Sequence, residues 1–240
     1  MAGNVSVTLE YPGRLYVIGD NSGNGIEIKN TDPSAGIFQI RGFTQDGANT
    51  LVNGSSLITY ARGVRDIIVN AWGGNDYVWV GSSNFAAPFR LDGEVSVSGG
   101  DGKDTIVVQG ASLTDLTIDT GNGADSTYVY HTSVDDTLWI TGGLDQAGDY
   151  IAIFGNTNAH YIGVFGTHGS DRLYIDHLSA DYLYASMYRG NDFVTIKNSD
   201  IFQECGIDGG DGTDTYNLVN NYVKPINTRN FERFMRDQRY

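Results

Sequence analysis

The feature that most constrains this chain is a phrase that occurs seven times: a strand, a glycine-rich turn ending in aspartate, and a second strand. The phrases are IIVNAWGGNDYVWV, VSVSGGDGKDTIVV, LTIDTGNGADSTYVY, LWITGGLDQAGDYIAI, IGVFGTHGSDRLYI, LYASMYRGNDFVTI and CGIDGGDGTDTYNLV. Their turn aspartates, Asp76, Asp104, Asp125, Asp149, Asp171, Asp192 and Asp214, follow one another at near-constant intervals, the longest being the first, from Asp76 to Asp104. A regular period of this size marks a solenoid, in which one coil cannot bury its own apolar face but stacked coils build a continuous core. LYVIGDNSGNGIEI, nearer the start, matches the phrase with Gly25 at the aspartate position and reads as a first, atypical coil. The expected fold is all-β: a right-handed parallel β-helix or β-solenoid of about eight coils, each of about 21–22 residues.

Alternation sets which side chains face inward. The second and fourth residues after each aspartate are almost always apolar, as in Val78 and Val80, Ile106 and Val108, or Leu173 and Ile175. The strand before the turn supplies a second inward column, including Ile67/Val69, Leu116/Ile118 and Leu138/Ile140. A shorter third side runs through Leu113, Val134, Ala159, Ala180 and Ile201. Exposed sheet edges template aggregation, so both ends need cover. Residues 1–63, with TDPSAG and TQDGANTLVNGSS, read as an N-terminal cap plus the first coil, residues 64–222 as the repeats, and residues 223–240 as a C-terminal capping segment. Phe231, Phe234 and Met235 stand at i, i+3 and i+4, which predicts a short amphipathic helix over the last coil.

Charge narrows the partners. The chain has 15 Lys plus Arg against 29 Asp plus Glu, a net of −14, and nucleic-acid binding needs the opposite sign. Residues 223–240 depart from this, with 5 basic and 2 acidic residues. Cys205 is the single cysteine, so no disulfide forms within one chain; a small buried strand residue is the expected role. No apolar run is long enough to read as a membrane span, and MAGNVSVTLE lacks the apolar core of an export signal.

Two turns are complete, GGDGKDTIV at residues 99–107 and GGDGTDTYN at residues 209–217. They match GGxGxDxUx and resemble the calcium-binding repeats of secreted bacterial haemolysin-type proteins. With LYVIGDNSGNGIEI, TLVNG and the closing NFERF, residues 13–235 look like the large extracellular repeat proteins of some environmental bacteria. The resemblance implies a secreted or surface location and a calcium-dependent parallel β-roll. The chain departs from that family in its longer period, which leaves one such turn per coil rather than two. Asp76, Asp104, Asp125, Asp149, Asp171, Asp192 and Asp214 would stack about 4.8 Å apart, where like charges require compensation. Two chemistries answer: calcium between successive turns, with Asp101 and Asp211 as added ligands, or hydrogen bonds from turn backbone N–H groups to each carboxylate.

Odd positions after the aspartate face outward and are aromatic: Tyr77, Trp79, Tyr150, Tyr174 and Phe193; the strand after Asp125 reads as shifted or bulged, with Tyr128 and Tyr130 outward if Thr127 and Val129 face in. Three readings are open for these rings, namely cross-strand ladders within the sheet, self-association with another copy, and stacking on a glycan. No HExxH, GxSxG or P-loop string occurs, and His131, His160, His168 and His177 share no repeat phase. The expected function is a non-enzymatic extracellular structural or adhesive module, stabilised by calcium if the turns bind it. The alternative is a carbohydrate-binding or polysaccharide-modifying β-helix that uses the aromatic face.

Overall fold

The computed structural model describes residues 3–32, 35–45, 48–223 and 226–236. Every regular element among them is a strand, and no helix is long and apolar enough to cross a membrane. The chain is a parallel β-solenoid whose coils pair along the axis through three columns. The first column aligns Leu15, Ile67, Val95, Leu116, Leu138, Ile162, Leu183, Cys205 and Ile226. The second aligns Ile26, Val78, Ile106, Thr127, Ile151, Leu173, Val194 and Tyr216. The third runs from Leu91 through Leu113 and Val134, and from Ala159 through Ala180 and Ile201 to Val223.

The inward residues of the first two columns, from Leu15 to Cys205 and from Ile26 to Tyr216, are nearly all inaccessible to solvent and form one continuous core. Each buried Val, Leu or Ile side chain contributes about 1.5–3 kcal/mol relative to exposure, so the core rather than any single coil holds the rod together. Inward-facing Thr127 and Val129 keep the common phase of the second strand. Ser126–Tyr130 therefore pairs without a shift on both neighbours, and Tyr128 and Tyr130 face outward with no bulge.

Regularity is confined to the middle. About six turns, those of Asp104 through Asp214, keep a near-constant spacing, fewer than the eight coils expected. The coil of Asp76 is enlarged by residues 82–88. Before it, Arg14–Ile18 and Gly25–Asp32 pair parallel to Asp66–Asn70 and Tyr77–Gly81, so LYVIGDNSGNGIEI is an atypical first coil. Antiparallel partners take its outer edges: Asn4–Glu10 lies along Arg14–Ile18, and Ile37–Gln45 along Gly25–Asp32.

The expected C-terminal helix does not form. Arg233–Arg236 is a strand parallel to Thr215–Leu218, Ile226–Arg229 pairs with Cys205–Asp208, and the Phe231 ring packs 5.2 Å from that of Tyr216. So short a segment cannot repay helix nucleation, whereas the open edge of the Asp214 coil offers a complete row of partners. Residues 237–240 of the expected helix lie outside the described residues.

Ile106 is fully buried in the second column. Ile106→Asp should therefore abolish soluble, cooperatively melting protein, because the carboxylate has no partner there. A soluble variant with the parent's circular-dichroism melt would contradict the inward phase.

Candidate functional site

All seven repeat aspartates stack in one column, and all seven are buried. Their register makes a side-chain ladder across the coils. Asp104 Oδ1 accepts the Asp76 backbone N–H at 2.8 Å, Asp125 Oδ1 that of Asp104 at 2.7 Å, and Asp149 Oδ1 that of Asp125 at 2.8 Å. The series continues at 2.7 Å for each step from Asp149 through Asp171 and Asp192 to Asp214. It runs past the repeats at both ends: Asp76 Oδ1 accepts the Asn24 N–H at 2.5 Å, and Glu232 Oε2 accepts the Asp214 N–H at 2.7 Å. The residue after each aspartate donates its own N–H to the preceding aspartate's carbonyl, as Thr105 does to Asp76 at 2.8 Å. Each coil junction at the turn is therefore tied twice, once through backbone and once through a carboxyl group.

The turn glycines let coils approach closely enough for this. Gly123 has φ +144°, and a Cβ there would stand 1.5 Å from the Gly102 carbonyl oxygen. Gly99 serves the carboxyl itself, since a Cβ there would lie 2.6 Å from Asp104 Oδ2. The inner oxygen of most rungs is thus sealed in. Oδ2 of Asp76, Asp104, Asp125, Asp192 and Asp214 has no hydrogen-bond partner, while Thr120 Oγ1 reaches Asp149 Oδ2 at 3.1 Å and the Thr167 N–H reaches Asp171 Oδ2 at 2.6 Å.

Burial is the main cause of the resulting electrostatics, opposed by the N–H donated to each carboxyl and in most rungs reinforced by acidic neighbours. It pushes Asp76 up to about 8, Asp104 to about 6, Asp125 to about 7, Asp149 to about 8 and Asp192 to about 7. Asp171 and Asp214 move in the same direction. Much of the ladder is consequently carboxylic acid near neutral pH. An uncharged Oδ2 is far less costly to bury than a charged one.

This chemistry fits calcium poorly. A calcium ion takes about six to eight oxygens at roughly 2.3–2.6 Å. Here one oxygen of each carboxyl is used by a backbone N–H and the other is enclosed within the coil. Asp101 and Asp211 are exposed and do not join the column: Asp101 accepts from Asn122 Nδ2 at 2.8 Å, and Asp211 lies 3.6 Å from Arg189 Nε. Among the described residues, no group of three or more His, Cys, Asp or Glu side chains could hold a metal ion.

The sequence-predicted aromatic face is assembled but half-buried. Its central row alternates large and small residues across coils, Trp79, Val107, Tyr128, Ala152 and Tyr174, so Val107 and Ala152 are covered by their neighbours. Tyr130 stacks on Phe154 with centroids 4.9 Å apart, and Tyr128 lies 5.7 Å from Tyr150. Gln109 Oε1 accepts from Tyr130 and from Trp79 Nε1, Lys197 sits over the Tyr174 ring at 4.9 Å, and Phe43 packs edge-on against Tyr77. Phe193 is half-buried in the row of Tyr77, Thr105, Ser126, Tyr150 and Arg172. These are the contacts of a cross-strand ladder, which stabilises a sheet by packing. Cys205 is fully buried with its thiol pushed up to about 12 by desolvation, as its core position predicts.

The two end members of the ladder carry no GGxGxD signal. Asn24, not Gly25, holds the aspartate position of the first coil, because Gly25 pairs with Tyr77, and Glu232 holds it one coil past Asp214. The more exposed rings lie on the other sheet, where Trp139, Tyr161 and Tyr184 project from first-side strands. Comparison with known proteins finds no matching family model, curated protein or solved structure.

The ladder sets an unusual pH dependence. Folded-state pKa values lie above the unfolded value of 3.8, so the folded chain binds more protons between about pH 4 and 8 and stability falls as pH rises through that window. The melting temperature should be higher at pH 5 than at pH 8.5. Asp104→Asn, which keeps the accepting oxygen, should fold and flatten that slope, whereas Asp104→Ala should lose about 1–3 kcal/mol by stranding the Asp76 N–H. A melting temperature that rises with pH would contradict a protonated ladder.

Proposed function

We propose that this chain is a non-enzymatic structural or adhesive module of an extracellular or cell-surface protein, a stiff spacer whose coils are locked by the carboxyl ladder. The observation that carries this reading is the unbroken run of hydrogen bonds from Asn24 to Glu232, which commits the most regular part of every turn to holding neighbouring coils together. Repeat solenoids are stabilised by nearest-neighbour interfaces, so a bond present at every interface stiffens the whole length. The acidic body, with 29 acidic residues against 15 basic ones, suits a surface that stays dispersed in solution. The likeness of residues 99–107 and 209–217 to haemolysin-type turns supports an extracellular location.

In this reading the buried acids occupy the place that calcium has in those turns. A ligand that binds only the folded state at 100 times its dissociation constant would add about 2.7 kcal/mol. The expected result is instead a melting temperature that is the same in millimolar calcium and in chelator at constant pH. A calcium-dependent rise that chelator reverses would overturn the ladder as the sole lock. Surface labelling of intact source cells, with the chain detected by antibody before and after protease shaving, tests the location; a signal wholly resistant to shaving and absent from the medium would count against it.

A further inference from the structure

One row of the first-side sheet sets large rings against glycines. Its outward positions read Trp139, Gly163, Tyr184, Gly206 and Asn227 in consecutive coils. Each large ring lies down over the glycine of the next coil. A Cβ at Gly163 would stand 2.6 and 2.8 Å from Trp139 Cε3 and Cζ3, and one at Gly206 would stand 3.0 Å from Tyr184 Cδ1. Gly163 is buried as a result, although its position faces outward, while Trp139 keeps 44% and Tyr184 40% of its surface in solvent. Both rings therefore pack against the sheet and still keep about two-fifths of their surface in solvent.

Both platforms are held in place. Phe165 stacks obliquely on Trp139, with centroids 4.6 Å apart and planes at 34°, and the Tyr184 hydroxyl donates to Glu204 Oε2 at 3.0 Å. Polar groups border the row: Glu204 also accepts from Asn227 Nδ2 at 3.4 Å, and Ser186, Asp208 and Arg229 flank a shallow depression of about 280 Å³ next to Tyr184. On the opposite flank Tyr161 and Tyr182 stack at 4.6 Å and 12°. Trp139 and Tyr184 are two coils apart, which sets the platforms about 10 Å from each other along the axis.

We infer that this row is a binding site for an extended, uncharged β-1,4-linked polysaccharide lying along the solenoid axis. Flat rings with surface left in solvent match the apolar C–H faces of pyranose rings, and the flanking carboxylate, amide and hydroxyl groups match sugar hydroxyls at the rim. In such a glycan every second sugar presents the same face, at about the two-coil interval of the platforms. Three consecutive sugars are thus the shortest ligand that covers both rings. The net charge of −14 disfavours uronic-acid polymers. The site is separate from the half-buried aromatic ladder of the second-side sheet and does not depend on the structural role proposed above.

Titration calorimetry of the full chain with cellohexaose, xylohexaose and chitohexaose tests the inference. At least one hexamer should bind, with its disaccharide at least about tenfold weaker. Tyr184→Ala and Trp139→Leu, the latter keeping an apolar cover over Gly163, should each weaken binding about tenfold, while Tyr128→Ala on the other sheet leaves it unchanged. Thermal melts of each variant separate lost binding from lost fold. The inference is overturned if no hexamer binds at about 1 mM, if binding survives the Trp139→Leu/Tyr184→Ala double variant, or if sedimentation shows a dimer that Tyr184→Ala dissociates, which would make the row a protein interface.

Discussion

The hydrogen bond from a backbone N–H to the carboxyl of the next coil is the constraint on which the rest of this molecule depends. It requires an aspartate at one phase of each repeat, small residues where the carboxyl tucks in, and glycine where one turn lies against the next. It also fixes the register of the flanking strands, because a slip of one residue would move every inward side chain to the solvent face. A neutral hydrogen bond adds only about 0.5–1.5 kcal/mol net, yet its loss strands a buried donor at greater cost. The ladder accordingly acts more as a penalty on misaligned coils than as a large source of stability.

Proton chemistry follows from the same arrangement. Stacked carboxylates would repel one another at this spacing, and no Lys, Arg or His is among the buried side chains of the described residues to offset them. Desolvation resolves the conflict by favouring the uncharged acid, which leaves Oδ1 free to accept from the backbone. Thr120 and Thr167 add donors to the Asp149 and Asp171 rungs, whose Oδ2 atoms are thereby partnered. Two sheets with different surfaces complete the picture: one closed by interlocking aromatic and small residues, the other with exposed rings on glycine.

Much of the fold was legible because a near-constant repeat period and an alternation of two encode it directly. Ile106, Val108, Leu116 and Ile118 could be placed inward from sequence since no other phase buries them. The C-terminal segment was misread because Phe231, Phe234 and Met235 fit a helical stripe as well as a strand, and the open edge that decides between them is invisible in one dimension. The aspartates were legible as a column, but not the direction of their bonds: GGxGxD spacing is equally compatible with a turn that faces a metal and one that faces a backbone amide. The platform row was missed because its signal lies between coils. Trp139 and Gly163 stand a full coil apart in sequence, and only the parallel register makes them neighbours.

The rungs also give the rod a direction. Every carboxyl from Asp76 to Glu232 reaches back toward the coil before it and none reaches forward, so the column has unlike ends. Those ends also differ in access: Asn24 is fully buried beneath the N-terminal segment, whereas Glu232 stands in solvent. A second rod can therefore approach the column only at its Glu232 end, and a direction fixed by a single side-chain oxygen per coil is closed at its start and open at its finish.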